Sequence, residues 1–256
     1  MIDPRALVSG DARLAPDVTV GPFTVIGPGV EIGPRTVIGS HAVINGPTTL
    51  GADNHVFQFT SIGDAPQDKK YRGEPTRLSV GDRNVFREFC TVNRGTTHDA
   101  GVTRIGSDNL FMSYSHVAHD CTVGNNTVFA NSATLGGHVE IGDWAILGGL
   151  AAVHQFARVG AHAFLSGGAM VRRDVPPYVI VAGDPAVPQA VNAEGLKRRG
   201  FTEEQIRAIR EAYRILYRSD LRLAEALERL EPLAAQRPEL RAFVDFIQAS
   251  SRSIVR

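Results

Sequence analysis

Cysteine is nearly missing from these 256 residues. Cys90 and Cys121 are the only two, too few for a disulfide framework or a cysteine zinc cluster. Trp and Tyr are scarce too, one and five, so the interior must be filled by something other than large aromatic anchors. Charge of one sign is absent: 27 Lys and Arg balance 27 Asp and Glu. That balance argues against nucleic acid or an anionic membrane surface as the main partner. No apolar run approaches the ~18 residues of a bilayer span, so no transmembrane segment is expected. The opening MIDPRALVSG has no basic stretch followed by an apolar one, which predicts a cytoplasmic protein without a secretory leader. What the chain does hold in quantity is glycine, 26 residues, and that directs attention to internal repeats.

The period is six. An Ile, Val, Leu or Phe leads every hexad from Ile2 to Ile62, again at Val80, Phe86 and Val92, and then without a break from Ile105 to Val171. Thirteen of these 26 leaders are followed by Gly, and 22 have Ala, Val, Thr, Ser or Cys four residues later. Six is neither the helical 3.6 nor simple alternation. It fits a short strand and a tight corner, with the leader and the small residue two before it pointing inward. Glycine after the leader is expected to take the corner dihedrals. The pattern predicts a parallel β-helix, three hexads per triangular coil, about 40 Å long at ~4.8 Å per coil. Cys90 and Cys121 both fall on the small inward position and are expected in the core.

Two insertions, residues 66–79 and 98–104, interrupt the repeat and must bulge from the prism. Residues 174–188, DVPPYVIVAGDPAVP, read as an extended exit segment. Helical periodicity follows: Thr202 and Gln205 form a capping-box pattern ahead of Ile206, Ile209, Ala212, Tyr213 and Leu216. Two more helices are expected over Leu223–Leu233 and Pro238–Ile247. The division is therefore a β-helix over 1–189 and an α-helical domain over 190–256.

Seven of the eight histidines lie in hexads, none at an inward position. His119, His138 and His154 follow leaders spaced 18 apart, so they rise along one corner at roughly 5 Å per coil, with His116 just before them. A zinc site and general-base catalysis are the two chemistries to weigh. The His116-x2-His119 spacing lacks the H-x4-H pattern of β-helix carbonic anhydrases and shows no third ligand. A neutral imidazole with an ordinary pKa of about 6.5 suits a base at physiological pH, and Asp120 stands next to His119 to orient it.

The segments SHVAHDC (115–121), ATLGGHVEIGD (133–143), AAVHQF (151–156), DVPPYVIVAGDPA (174–186) and EGLKRRGF (194–201), with the QDKKYRGEPT insertion, resemble one family. It is the acyl-carrier-protein-dependent UDP-N-acetylglucosamine O-acyltransferases that open lipid A biosynthesis. The resemblance spans essentially the whole chain. It implies a left-handed prism, a homotrimer with sites between neighbouring prisms, and transfer of a (3R)-3-hydroxyacyl group to the sugar 3-hydroxyl. It implies no cofactor or metal of the enzyme's own, since the donor rides on the phosphopantetheine of acyl carrier protein.

Residue by residue, the resemblance makes His119 the base, Asp120 its positioner and the Gly137 amide the oxyanion donor. Asp68, Lys70, His116, His138, His154 and Gln155 would surround the sugar. Asn192 and Glu194 would meet uracil, and Arg198 and Arg199 the diphosphate. Gly167 would leave room for the end of the acyl chain. The competing readings are a sibling N-acyltransferase, a non-catalytic β-helix scaffold and a zinc-dependent, anhydrase-like protein.

Overall fold

A computed structural model describes residues 1–256. Three sheets of nine, eight and ten strands, parallel except for the last strand of the third, form the faces of a triangular prism. Leaders 18 residues apart pair in register, as along Val117, Leu135, Val153 and Val171. Every leader from Val20 to Val171 is buried, each worth roughly 1.5–3 kcal/mol of hydrophobic stabilisation. Ile2, at the open end of the stack, stays 48% exposed. Cys90 and Cys121 lie in the core as their register requires.

The glycine after the leader has a different job from the one the repeat alone suggests. The left-handed corner falls two residues later and is taken by ordinary side chains: φ is 57° at Arg35, 60° at Asp120 and 60° at His138. The glycines are needed where successive coils approach too closely for a side chain. A Cβ on Gly33 would stand 2.6 Å from the carbonyl carbon of Gly51 in the next coil. Crowding, and not a positive φ, selects glycine there.

Three inward positions carry asparagine instead of a small residue: Asn54, Asn84 and Asn109. They form a buried ladder one coil apart. Oδ1 of Asn54 accepts from the Asn84 amide N–H (2.9 Å), and Oδ1 of Asn84 accepts from that of Asn109 (3.0 Å). Each Nδ2 donates to a backbone carbonyl, of Gly81, Gly106 or Gly124. Thr36 and Thr127 close the two ends. With every polar group satisfied, the ladder avoids the ~1–3 kcal/mol penalty of each unmade buried hydrogen bond.

The prism's corners differ in chemistry. One carries an exposed ladder of Phe23, His41, Phe59, Phe89 and Tyr114, whose ring centroids lie 4.9–5.4 Å apart. The second is lined by ion pairs, Arg35–Asp53 and Arg83–Asp108, each at 2.7 Å, and ends in Trp144, His162 and Tyr178. The third, the histidine corner, carries Asp120, His138 and Phe156. Both insertions leave the prism at this third corner, in successive coils. Because their returning arms run side by side, Arg77–Val80 pairs in register with Val102–Ile105, and strand reaches further into both insertions than the sequence suggests. Arg94 ties down the first insertion: its guanidinium donates to the Gly63 carbonyl (2.8 Å) and the Tyr71 hydroxyl (3.1 Å).

Beyond the last coil, Val179–Ala182 and Val187–Val191 form an antiparallel hairpin on the ten-stranded sheet. Four helices follow: α1 (Ala193–Arg198), α2 (Glu203–Tyr217), α3 (Leu223–Ala234) and α4 (Pro238–Gln248). The Thr202–Gln205 capping box opens α2, and the predicted face of Ile206, Ile209, Ala212, Tyr213 and Leu216 is the buried one. Asp174, buried at the end of the prism, accepts from the Arg158 amide (2.9 Å) and the Ser250 hydroxyl (2.7 Å) and so docks the chain's end.

Candidate active site

Register sets the site. His119 stands two residues past its leader, just before the left-handed Asp120, while Gly137 and His138 occupy the equivalent positions one coil on. A Cβ on Gly137 would lie 2.6 Å from Cε1 of His119, so only glycine leaves room for that ring. The His119 and His138 rings meet edge to face, with centroids 5.2 Å apart, and His138 stacks on Phe156 at 4.4 Å.

Although neighbours in sequence, His119 and Asp120 face each other: Nδ1 lies 2.9 Å from Oδ2. The carboxylate is fully engaged. Oδ1 accepts from the Thr96 amide (2.8 Å), Oδ2 from the Thr96 hydroxyl (2.7 Å), and the Asp120 amide donates to Thr103 Oγ1 (2.8 Å). Burial pushes the Asp120 carboxyl up, but the hydrogen bonds from His119 and Thr96, with His138 nearby, outweigh it and hold the group below the usual carboxylate range. A carboxylate facing Nδ1 fixes the tautomer with the proton on Nδ1 and the lone pair on Nε2. The Gly137 amide N–H takes no part in the coil's hydrogen bonding and is a free donor beside the ring.

The two insertions wall a polar cavity of about 670 Å³ over this corner. Asp68, Lys70, His119, His138 and Gln155 of the expected set line it together. The Lys70 amide donates to Asp68 (2.9 Å) and is the main reason that carboxyl sits below its ordinary range. Sequence reasoning passed over several lining residues: Gln67, Lys69, His98, Asp99 and Phe156. Asp99 reaches His138 Nδ1 at 3.1 Å. Thr96 was hidden because it occupies a small inward position, where a core role is the default. Asp99 gave no signal, because its contact spans 39 residues from an insertion.

Other expected residues lie elsewhere in the chain. His116 points to Thr91 (2.7 Å), and burial, then His119, lowers its pKa. His154 opens on a separate cavity of about 220 Å³ with Arg172 and Asp184. Gly167 stands by the aromatic corner, where a Cβ would touch only the Gly149 carbonyl at 3.4 Å. Asn192 caps α1, accepting from the Gly195 amide (3.2 Å) and donating to the His162 carbonyl (2.9 Å). Arg199 lies over Trp144 at 5.1 Å. With Glu194 and Arg198 on α1, these residues sit at the end of the ion-pair corner, away from His119.

Donor atoms of His119, Asp120 and His138 lie within 4.8 Å of one another, so the next coil supplies the third ligand that spacing alone did not reveal. The Asp120 and His119 atoms are already joined by the hydrogen bond to Nδ1, an arrangement suited to moving protons.

The fold and this corner together define a hexapeptide-repeat transferase. Residues 1–46 and 103–137 match the family model for bacterial transferase hexapeptide (six repeats), and residues 174–255 match UDP N-acetylglucosamine O-acyltransferase, domain 2. The acyl-[acyl-carrier-protein]–UDP-N-acetylglucosamine O-acyltransferase of Thiobacillus denitrificans is 55% identical over 100% of this chain and 99% of its own length. That of Halorhodospira halophila is 54% identical with the same coverage. Among solved structures, the UDP-N-acetylglucosamine acyltransferase of Francisella novicida superposes with a TM-score of 0.98 at 43% identity, covering 100% of this chain and 94% of that one. The Arabidopsis enzyme gives 0.81 at 32% identity, with full coverage of both chains. The chain belongs to the acyl-[acyl-carrier-protein]–UDP-N-acetylglucosamine O-acyltransferases; it is an acyltransferase on a left-handed parallel β-helix.

Proposed function

We propose that the protein transfers a (3R)-3-hydroxyacyl group from acyl carrier protein to the 3-hydroxyl of UDP-N-acetylglucosamine in the cytoplasm, the first step of lipid A biosynthesis, with His119 as general base. The observation that carries the reading is the chain from Thr96 through Asp120 to His119, ending at the wall of a polar cavity. Nε2 of His119 takes the proton of the sugar hydroxyl as its oxygen attacks the thioester carbonyl. The Gly137 amide donates to the oxyanion as it forms, an interaction typically worth about 3 kcal/mol. Collapse expels the pantetheine thiolate, which takes the proton from the imidazolium, leaving ester and free carrier thiol. Asp120 stays ionised and stabilises the imidazolium. Asp68 and Lys70 hold the sugar, with Gln155 and His138 beside it.

The unit of function is a homotrimer. The groups expected around the nucleotide (Asn192, Glu194, Arg198 and Arg199), the group at the acyl end (Gly167) and the base belong to three different corners of one prism, so a complete site needs more than one chain. The exposed ladder of Phe23, Phe59, Phe89 and Tyr114 is the kind of apolar stripe that such packing covers.

The test is to incubate the protein with UDP-N-acetylglucosamine and a panel of 3-hydroxyacyl and plain acyl carrier proteins, beside His119→Ala. Transfer to the sugar oxygen is expected, falling about 10²–10⁴-fold in the variant while fold and trimer mass survive. A variant within threefold of wild type removes His119 as base; no transfer by a folded wild-type trimer removes the reaction. In the same panel, Gly167→Met is expected to shift preference toward shorter chains.

A further inference from the structure

At the far end of the ion-pair corner, several contacts converge on one imidazole. His162 is a left-handed corner residue, φ 59°, one coil beyond Trp144 and one before Tyr178. Its ring lies between theirs, with centroids 6.4 Å from Trp144 and 5.7 Å from Tyr178, and Phe201 packs on it edge to face at 5.1 Å. The orientation of the ring is therefore fixed by packing. Two polar ties run from the same residue to the start of the helical domain. The His162 carbonyl accepts from Nδ2 of Asn192 (2.9 Å), the residue that caps α1, and Nδ1 of the ring faces Nη1 of Arg199 (3.4 Å), the residue that ends it. Both ends of α1 are docked on one position of the prism.

Chemistry settles which group donates. A guanidinium has only N–H donors, so Nδ1 is the acceptor and the ring proton sits on Nε2. That requires a neutral ring. Burial, followed by the Arg199 charge and opposed by Asp143, keeps it neutral by lowering its pKa to about 4. Arg199 has no carboxylate partner, and the contact with His162 is its one side-chain hydrogen bond. Burial lowers its pKa, the mark of a half-buried cation that no anion of the protein neutralises. Its guanidinium also lies over the Trp144 ring at 5.1 Å, a contact that uses the flat face and spares the N–H edges.

The choice of an imidazole here has a consequence for binding. A carboxylate in its place would hold Arg199 more firmly but would also spend its charge. A neutral acceptor orients the cation and leaves the charge, and the remaining donors, for an anion with paired oxygens. We propose that His162 is a positioning residue for the UDP-sugar: its Nδ1 anchors one N–H of Arg199, and the guanidinium, stacked over Trp144, presents its other donors to the diphosphate. This rests on the reading of Arg199 as a diphosphate contact.

The experiment measures Kd for UDP by titration calorimetry in His162→Phe, His162→Asn, Arg199→Gln and the double variant His162→Phe with Arg199→Gln. Phenylalanine already takes the same left-handed corner position at Phe23, Phe59 and Phe156, so the first variant suits the backbone. It keeps a ring between Trp144 and Tyr178 and the carbonyl for Asn192, and removes only the acceptor. Asparagine keeps an acceptor, Oδ1, close to where Nδ1 stands. His162→Phe is expected to weaken UDP about tenfold, His162→Asn to stay within about threefold of wild type, and the double variant to bind no worse than Arg199→Gln alone. Binding by His162→Phe at the wild-type level overturns the proposal. An equal loss on the Arg199→Gln background overturns it too, because His162 would then act by packing alone. So does a tenfold loss in folded His162→Asn, which decides the matter if the phenylalanine variant does not fold. If wild type binds no UDP, or Arg199→Gln binds it as wild type does, the diphosphate reading of Arg199 has failed and the proposal falls with it. Binding that Arg199→Gln weakens and His162→Phe does not sinks the role of His162 alone.

Discussion

The ion-pair corner and the histidine corner are built on the same backbone. Arg35 and Asp53 on one, Asp120 and His138 on the other, all have φ close to 60°. On the first, charges meet in the open: the Arg35 and Asp53 side chains keep 60% and 36% of their exposure. On the second, the two insertions close over the corner, and the exposure of Asp120 and His119 falls to 1% and 15%. The coil thus supplies spacing and dihedrals alike to both corners. Burial by the insertions, with Thr96 and Thr103 bonding to Asp120, sets one of them apart as the candidate site.

The strongest way to break that contrast is Asp120→Asn. Its amide leaves Nδ1 of His119 without a carboxylate partner, and kcat/KM is expected to fall about 10²–10³-fold with the far-ultraviolet spectrum kept. A loss under threefold would place Asp120 outside the mechanism. Thr96→Val is expected to cost about tenfold and to sharpen the comparison through pH. The lost hydroxyl is one of the donors holding the Asp120 carboxyl low, so that pKa rises, and the steeper stretch of the acid limb of the kcat/KM profile, where Asp120 protonates as well as the base, begins at higher pH. A steeper stretch that stays in place, or begins lower, contradicts this role.

A smaller effect is expected where α1 covers the far end of the ion-pair corner. Burial, followed by the Arg199 charge and opposed by Asp143, lowers the pKa of His162 to about 4. The folded ring therefore stays neutral while the unfolded one takes up a proton below ~6.5. This contribution is full above ~6.5 and is lost as pH falls from there toward 4. Allowing for partial solvent contact, it is on the order of 1–2 kcal/mol. Melting midpoints at pH 7 and 4.5 should converge in His162→Asn relative to wild type; an unchanged slope would point to other groups. Smallest of all, Arg83→Gln on the open stretch of the same corner should leave melting midpoint and turnover at wild-type values, because exposed pairs contribute little. A clear loss of either would make that corner more than a solvated edge.

The repeat made most of this molecule readable. Leaders, corners, the inward cysteines and the capped helix α2 all follow from period and spacing, because each depends on residues close in sequence or related by a fixed count. That His119 and His138 come together from successive coils was legible for the same reason. What escaped lies where the count fails. Thr96 looked like one more small core residue, since an inward hydroxyl and an inward methyl obey the same pattern. Asp99 meets His138 only because an insertion folds back, and no period describes that path. Glycine after the leader was seen, but its cause is a contact between coils, invisible until two are stacked.

The asparagine ladder also shapes how the molecule holds together along its length. Asn54, Asn84 and Asn109, with Thr36 and Thr127, fasten consecutive coils through side chains as well as backbone. In a solenoid whose stability is a sum over neighbours, such links couple a block of coils into one cooperative unit. The N-terminal coil, with Ile2 half exposed, is free to fray. His119 and Asp120 lie within the fastened block, between Asn109 and Thr127. The pair therefore sits on the section of the solenoid least able to open by itself, so local breathing at the ends leaves the geometry between His119 and Asp120 untouched.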